Sequence, residues 1–314
     1  MNLLKNSLLM VCVATMFFSC FTPDDKPGES NQVYQAAAKY SVEKEYKGNL
    51  DIVIGDVKQA FIQNKLSSKD QIENLVKGFK YEFKVDGIRI PIFPEGHMDK
   101  NQEQLLRYLL AKCQAEKLMI FANPANHLGG ARIANGSMTD TSPVKDDFTK
   151  SDKLIQVVQD FSKKYKCDFI SPFNEEGAPG SVWSVEQIND IYASLHGKVS
   201  GAKLVGSDVW GVPAGIRYLD ETDILDYVDV STTHNLGFNH DKWTEYINKS
   251  NGLPVWDSET NMHKKYQNRA TRIEAAIDSG VNGLVLYNSW TMINLSTGEI
   301  GTNGQKFRDF YLEE

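Results

Sequence analysis

From residue 50 onward, short apolar runs alternate with amphipathic stretches. The runs fall at 50–54, 87–93, 118–122, 168–173, 203–207, 228–233, 254–257 and 283–287. Most are apolar at consecutive positions, the pattern of strands covered on both faces. The stretches between them carry helical spacing. Leu105, Leu106, Leu109 and Leu110 share one face of a helix predicted over 102–116. Leu154, Ile155, Val158 and Phe161 do the same over 152–164. Ser184, with Gln187 three residues on, is an N-terminal cap. A helix over 269–279 meets its stop signal at Gly280, and a last helix covers 305–311.

A strand followed by a helix, eight times in about 260 residues, is the spacing of a single (β/α)8 TIM barrel. The strand ends fall near 54, 93, 123, 174, 208, 234, 259 and 288. The longest interval runs from Asn123 to Asn174 and contains 124–150, rich in Gly, Asn, Ser, Thr and Asp. That segment is expected to be an enlarged loop after the third strand, on the face where barrels of this kind carry their sites. A doubly wound open sheet is the competing arrangement. It wants a Gly-rich phosphate turn after the first strand, and Gly55-Asp56-Val57-Lys58 is not one. With the last helix at the end of this sequence, no second domain is expected.

The chain has 314 residues, with 34 basic and 41 acidic side chains, a formal charge of −7. Hydrophobic residues make up 41% and charged residues 24%, an ordinary globular mixture that excludes a disordered chain or a disulfide mini-protein. A mildly acidic chain lacks the basic face a nucleic-acid partner requires. Four cysteines are present. Cys12 lies in the leader. Cys113 and Cys167, on a helix and at a strand start, could form one bridge in an exported protein and read as two buried free thiols. With no C-x-x-C pair and no H-E-x-x-H, neither a metal nor another cofactor is expected.

Residues 1–19 have the form of an export signal: Lys5, then a nearly apolar run from Ser7 to Phe18, then Ser19-Cys20. A cysteine at that cut resembles the bacterial lipoprotein signal, with Phe17 where that pattern usually has Leu. The resemblance implies lipidation of Cys20 and an outer-membrane lipoprotein held by its acyl chains. Asp24-Asp25 resembles the acidic export tag of surface lipoproteins in Bacteroidota. Residues 20–48 then form a tether and N-terminal extension, and 49–314 the barrel, which is expected to work as a monomer.

The strand ends are unusually polar, and in a barrel they mark the site. The second strand carries Arg89. The third ends at Asn123, with Asn126 and His127 beyond it. The fourth ends in Asn174-Glu175-Glu176, the fifth at Asp208 and Trp210, the sixth at His234 and Asn235. The seventh ends in Trp256-Asp257-Ser258-Glu259 and the eighth in Tyr287-Asn288-Ser289-Trp290. Glycoside cleavage needs two carboxyls facing across one sugar, one to give a proton and one to attack. Strands four and seven lie on roughly opposite sides of an eight-membered ring, so Glu175 and Glu259 can point into one cleft. Only one of Glu175 and Glu176 can face it, because successive strand residues point opposite ways. Glu175 is the choice.

Asn174-Glu175 after the fourth strand and Glu259 after the seventh resemble clan A of the glycoside hydrolases. Arg89 in Arg-Ile-Pro and Trp290 after the eighth strand match the same clan. The phrases Ile-Ser-Pro-Phe-Asn-Glu and Val-Trp-Asp-Ser-Glu are most similar to family 30, with families 5, 39 and 128 close behind. Glu176 departs from family 30, which usually has Pro there, and the β-sandwich of that family has no counterpart here. The resemblance implies a retaining β-glycosidase with Glu175 as acid/base and Glu259 as nucleophile beside Arg89. Asn174 would bond the sugar 2-hydroxyl. Ionised Glu259 would keep the proton on Glu175, and His234 would hydrogen-bond a carboxyl. Trp290, Trp210 and Trp183 would offer aromatic faces, with Trp210 and Trp183 equally readable as ordinary packing, and with Asn123 and His127 at the margin. Trp243 reads as core of an outer helix, and Trp256 as packing between barrel and helices. The expected activity is cleavage of a β-linked polysaccharide or oligosaccharide, a β-glucan or β-galactan. The competing class is a glycan-binding surface lipoprotein that has lost activity.

Overall fold

The computed structural model describes residues 44–313. Among them eight parallel strands close into a ring in chain order, with β1 hydrogen-bonded to both β2 and β8. They are β1 (Ile52–Asp56), β2 (Gly87–Ile92), β3 (Met119–Pro124), β4 (Phe169–Ile170), β5 (Lys203–Val209), β6 (Val230–Thr233), β7 (Val255–Thr260) and β8 (Gly283–Leu286). The helices that matter below are α1 (Lys58–Ile62), α2 (Lys69–Lys77), α3 (Lys100–Ala115), α4 (Gly129–Asn135), α5 (Phe148–Lys164), α6 (Val185–Leu195), α7 (Val212–Glu221), α8 (Trp243–Lys249), α9 (Arg272–Ser279) and α10 (Thr302–Arg308). The fold is the single (β/α)8 barrel that the alternating pattern predicts.

Consecutive apolar positions are needed because each strand meets two cores. One side faces the helices. The other fills the ring with Ile52, Ile54, Phe121, Phe169, Val205, Val230, Trp256 and Val285. Trp256 therefore lies inside the barrel, edge-on to Phe169 at 4.8 Å, rather than between barrel and helices. Its ring fits because position 283 is glycine: a Cβ there would come within 2.3 Å of it. Trp243 is buried on α8 as expected. The helix ends use the predicted chemistry. Ser184 and Gln187 cap each other reciprocally, as do Asp99 with Gln102 and Thr271 with Glu274, each cap worth about 1 kcal/mol.

The differences from expectation lie at the mouth. β1 continues past Ile54 to Asp56. β4 has two ladder residues instead of six, because Pro172 has no N–H to donate and Ser171 Oγ turns back to the Phe173 carbonyl. The ladders of β5 and β7 shift register at Ser207/Val209 and Asp257/Thr260. Such bulges re-aim side chains, and here they contain Asp208 and Glu259. The enlarged loop after β3 is not irregular throughout, since it folds the short helix α4. At the opposite, closed end, Tyr46 bridges to Leu312 and its hydroxyl donates to Asp86 at 2.6 Å. Cys113 is buried and Cys167 half-buried, both unpaired. The expected signal, the expected anchor at Cys20 and most of the expected tether fall outside the described residues.

Candidate active site

Arg89 is the fixed point of the mouth. It is wholly buried on β2, and its Nε and NH2 grip both oxygens of Asp56 at 3.0 and 2.9 Å. NH1 donates to the Ser258 carbonyl and NH2 also reaches Glu259 Oε2 at 3.1 Å. Burial alone would push the Asp56 carboxyl up. Arg89, Lys58 and the Asn288 N–H together hold it below its ordinary value. Arg272, the first residue of α9, donates to the Glu259 carbonyl and fastens the end of β7 from outside. Glu259 is thus held through both its main chain and one carboxylate oxygen, and its side chain remains 7% exposed.

Across the mouth stand Glu175, His234 and Asp208. Glu175 has a φ of 58° and Asp208 a φ of 54°, both in the left-handed region that non-glycine residues rarely adopt. The Glu175 N–H donates to the Asp208 carbonyl at 2.6 Å, which couples the two strained turns. His234 is fully buried after β6, with Nδ1 at 3.7 Å from Glu175 Oε1 and Nε2 at 3.9 Å from Asp208 Oδ1. Neither distance is a hydrogen bond, and both ring nitrogens are left without a partner. Glu175, His234 and Glu259 each present a donor atom within 4.8 Å of the other two. The two glutamates expected to face each other do so.

Glu175 departs from expectation in its charge. Burial raises its carboxyl, but His234, Lys58 and Arg89 together outweigh burial and pull it down to about 2. Its electrostatics are set by His234, Lys58 and Arg89 rather than by ionised Glu259. Glu176 is the opposite case. It is fully buried behind the mouth, where its carboxylate accepts from Gly130 N at 2.6 Å and Trp183 Nε1 at 3.2 Å. Burial pushes it up to about 8. The glycine at 130 is required there, since a Cβ would meet Phe173 at 2.6 Å. Trp183 therefore offers no face to a ligand; it is buried and packs on Phe173.

The amides are largely committed. Asn174 Oδ1 accepts from Lys58 Nζ at 2.8 Å and Asn123 Nδ2 at 2.9 Å, and its own Nδ2 donates to the Asn126 carbonyl. One amide hydrogen remains for a substrate hydroxyl. Asn123 is fully buried and spans Asn174 and Asp208, so it braces the site instead of touching a substrate. His127 is exposed on the loop before α4, with Nδ1 at 3.3 Å from Arg132. Trp290 is half-buried after β8, its Nε1 donating to Asn288 Oδ1 at 2.6 Å. Trp210 is 46% exposed beside the Gly237 turn.

Two charged residues of the site are absent from the sequence expectations. Asp56 and Lys58 sit in the tetrapeptide dismissed as a phosphate turn. The signal that marks them is an Asp and a Lys directly after an apolar strand, the same signal that picked out Arg89. Lys58 is 2% exposed, and burial first of all lowers its ammonium to about 8.

No protein-family model matches the chain, and no curated protein matches it. Its likeness is to solved barrels. GH5_18 from Bifidobacterium longum subsp. longum superposes with a TM-score of 0.58 at 12% identity, over 82% of this chain and 78% of that one. A GH5-4 broad specificity endoglucanase from Clostridium longisporum gives 0.50 at 12%, over 78% and 84%. The endo-β1,6-glucanase BT3312 gives 0.49 at 12%, and this chain spans 79% of itself and 66% of that protein. At such identities the shared feature is the (β/α)8 fold.

Proposed function

We propose that this chain is a retaining glycoside hydrolase, of the clan A kind, that cleaves a β-linked polysaccharide or oligosaccharide by double displacement. The observation that carries the reading is the approach of Glu175 and Glu259 from opposite strands to within 4.8 Å. A retaining pair works at about 5–5.5 Å, whereas an inverting pair needs room for a water at about 6.5–9.5 Å. Glu259, fixed by Arg89, attacks the anomeric carbon. Glu175 protonates the leaving oxygen and then, as a base, activates water. His234 Nδ1 stands 3.7 Å from Glu175 Oε1 and can relay that proton once the two side chains close to hydrogen-bond distance. Trp290 on one side and Trp210 on the other supply apolar ring faces for sugar C–H surfaces. The endoglucanase among the similar barrels favours a β-glucan over a β-galactan.

The chain joins the barrel at its closed end, through Tyr46 against Leu312. An outer-membrane lipoprotein anchored at Cys20 would place this barrel where polymers too large to enter the cell are met. The low Glu175 carboxyl favours a second reading, a glycan binder without turnover. Proton NMR during digestion of plant, fungal and algal polysaccharides separates the two. New reducing ends that first appear as the β-anomer are expected. An α-anomer first would overturn double displacement, and saturable binding with no new ends would support the binder.

A further inference from the structure

The cluster that would attack a sugar is also a set of metal donors. We infer that Glu175, His234 and Glu259 form a binding site for a divalent transition-metal ion of the zinc type. This goes beyond the hydrolase reading and does not depend on it. Three donor atoms lie within 4.8 Å of one another. In a tetrahedral zinc site, with bonds of about 2.0–2.2 Å, neighbouring ligand atoms stand about 3.4 Å apart. His234 Nδ1 and Glu175 Oε1 are already at 3.7 Å.

The independent observation is the imidazole. His234 is fully buried, yet neither ring nitrogen has a hydrogen-bond partner. A buried polar group in that state is costly. Metal ligation at Nδ1 relieves that cost at one nitrogen, and Nε2 faces Asp208 Oδ1 at 3.9 Å, a carboxylate on the side where zinc-bound histidines have their outer partner. Glu259 keeps one oxygen free, because Arg89 engages only Oε2. In formal charge, Asp56, Glu175, Asp208 and Glu259 outnumber Lys58 and Arg89 by two, which suits a dication. One nitrogen and two carboxylates favour zinc over magnesium or calcium, which want six or more oxygens.

Titration calorimetry of the intact protein with zinc chloride, with magnesium chloride as control, reads the site without any substrate. One zinc per chain and no magnesium response are expected. His234→Ala and Glu175→Gln should each weaken zinc by more than about 100-fold, beyond the 10–100-fold cost of altering an outer partner. Zinc diffraction at its absorption edge should place the ion within about 2.2 Å of all three donors. No binding by the wild type, equal binding by both variants, or an ion located elsewhere would overturn the inference. If the protein proves to have no hydrolase activity, the same titration still decides the metal site.

Discussion

On the side of the mouth built by β1, β2 and β7, Arg89 holds Asp56 through two hydrogen bonds and reaches Glu259 and the Ser258 carbonyl. On the side built by β4, β5 and β6, Glu175 makes no side-chain hydrogen bond within 3.5 Å among the described residues, and His234 stands 3.7 Å away with its nitrogens unpaired. The contrast follows from what each carboxyl has to do. A nucleophile keeps one charge state until it forms a bond, so tight pairing helps it. An acid/base must exchange a proton twice. A short ion pair would lock it in one state, whereas partners held slightly too far apart leave the exchange open. Strain sits on the loose side: the left-handed turns at Glu175 and Asp208, joined by the Glu175 N–H to the Asp208 carbonyl, aim both side chains into the mouth.

Glu259→Gln tests the tight side and should have the largest effect. It keeps shape and removes the attacking charge. Turnover of an activated aryl β-glycoside should fall by about 10^4-fold or more, on the scale of losing a nucleophile. A loss below tenfold would move the role away from Glu259. Glu175→Ala tests the loose side. General acid help is worth about 10^2–10^4-fold when the leaving group is poor. Losses near the middle of that range are expected on a polysaccharide, with a much smaller loss on an activated aryl glycoside in the same assay. Equal losses on both would mean that Glu175 transfers no proton.

The two sides also differed in how far the sequence revealed them. The glutamates and Arg89 could be read because each follows or sits in an apolar strand whose place in the ring is countable. Glu175 was separable from Glu176 by strand alternation alone, although the backbone there is a strained turn and not a strand. Asp56 and Lys58 were missed because β1 was ended two residues early, at the last strongly apolar position. The choice between a sugar face and packing at Trp183 is not legible because exposure at a loop depends on what packs over it, and α4 is hidden in a stretch of turn-forming residues. A metal-capable triad from β4, β6 and β7 has no local spacing, so no motif could disclose it.

Lys58 ties the two sides together, and its removal gives the smallest effect and the sharpest check on their electrostatics. Its ammonium bonds Asn174 Oδ1 and the Pro124 carbonyl, and it lies close enough to Glu175 and Glu259 to feel both. Burial lowers it from 10.5 to about 8. A base depressed in the folded state contributes stability above its unfolded pKa and loses it as pH falls through the folded one. At pH 7 the folded protein therefore holds a costly buried charge. Lys58→Met relieves that cost but leaves two carbonyl oxygens short of a donor, at about 1 kcal/mol or more each. The opposing terms should leave net stability at pH 7 within about 1 kcal/mol of the wild type. Between pH 7 and 9 only the wild type sheds the Lys58 proton on folding. Its stability relative to Lys58→Met should therefore rise by about 1.4 kcal/mol, the value of one proton over one pH unit. Urea unfolding of both proteins at the two pH values measures the gap. A gap that stays constant would mean that Lys58 keeps its proton through pH 9, with the carboxylates on both sides holding it more tightly than burial opposes it.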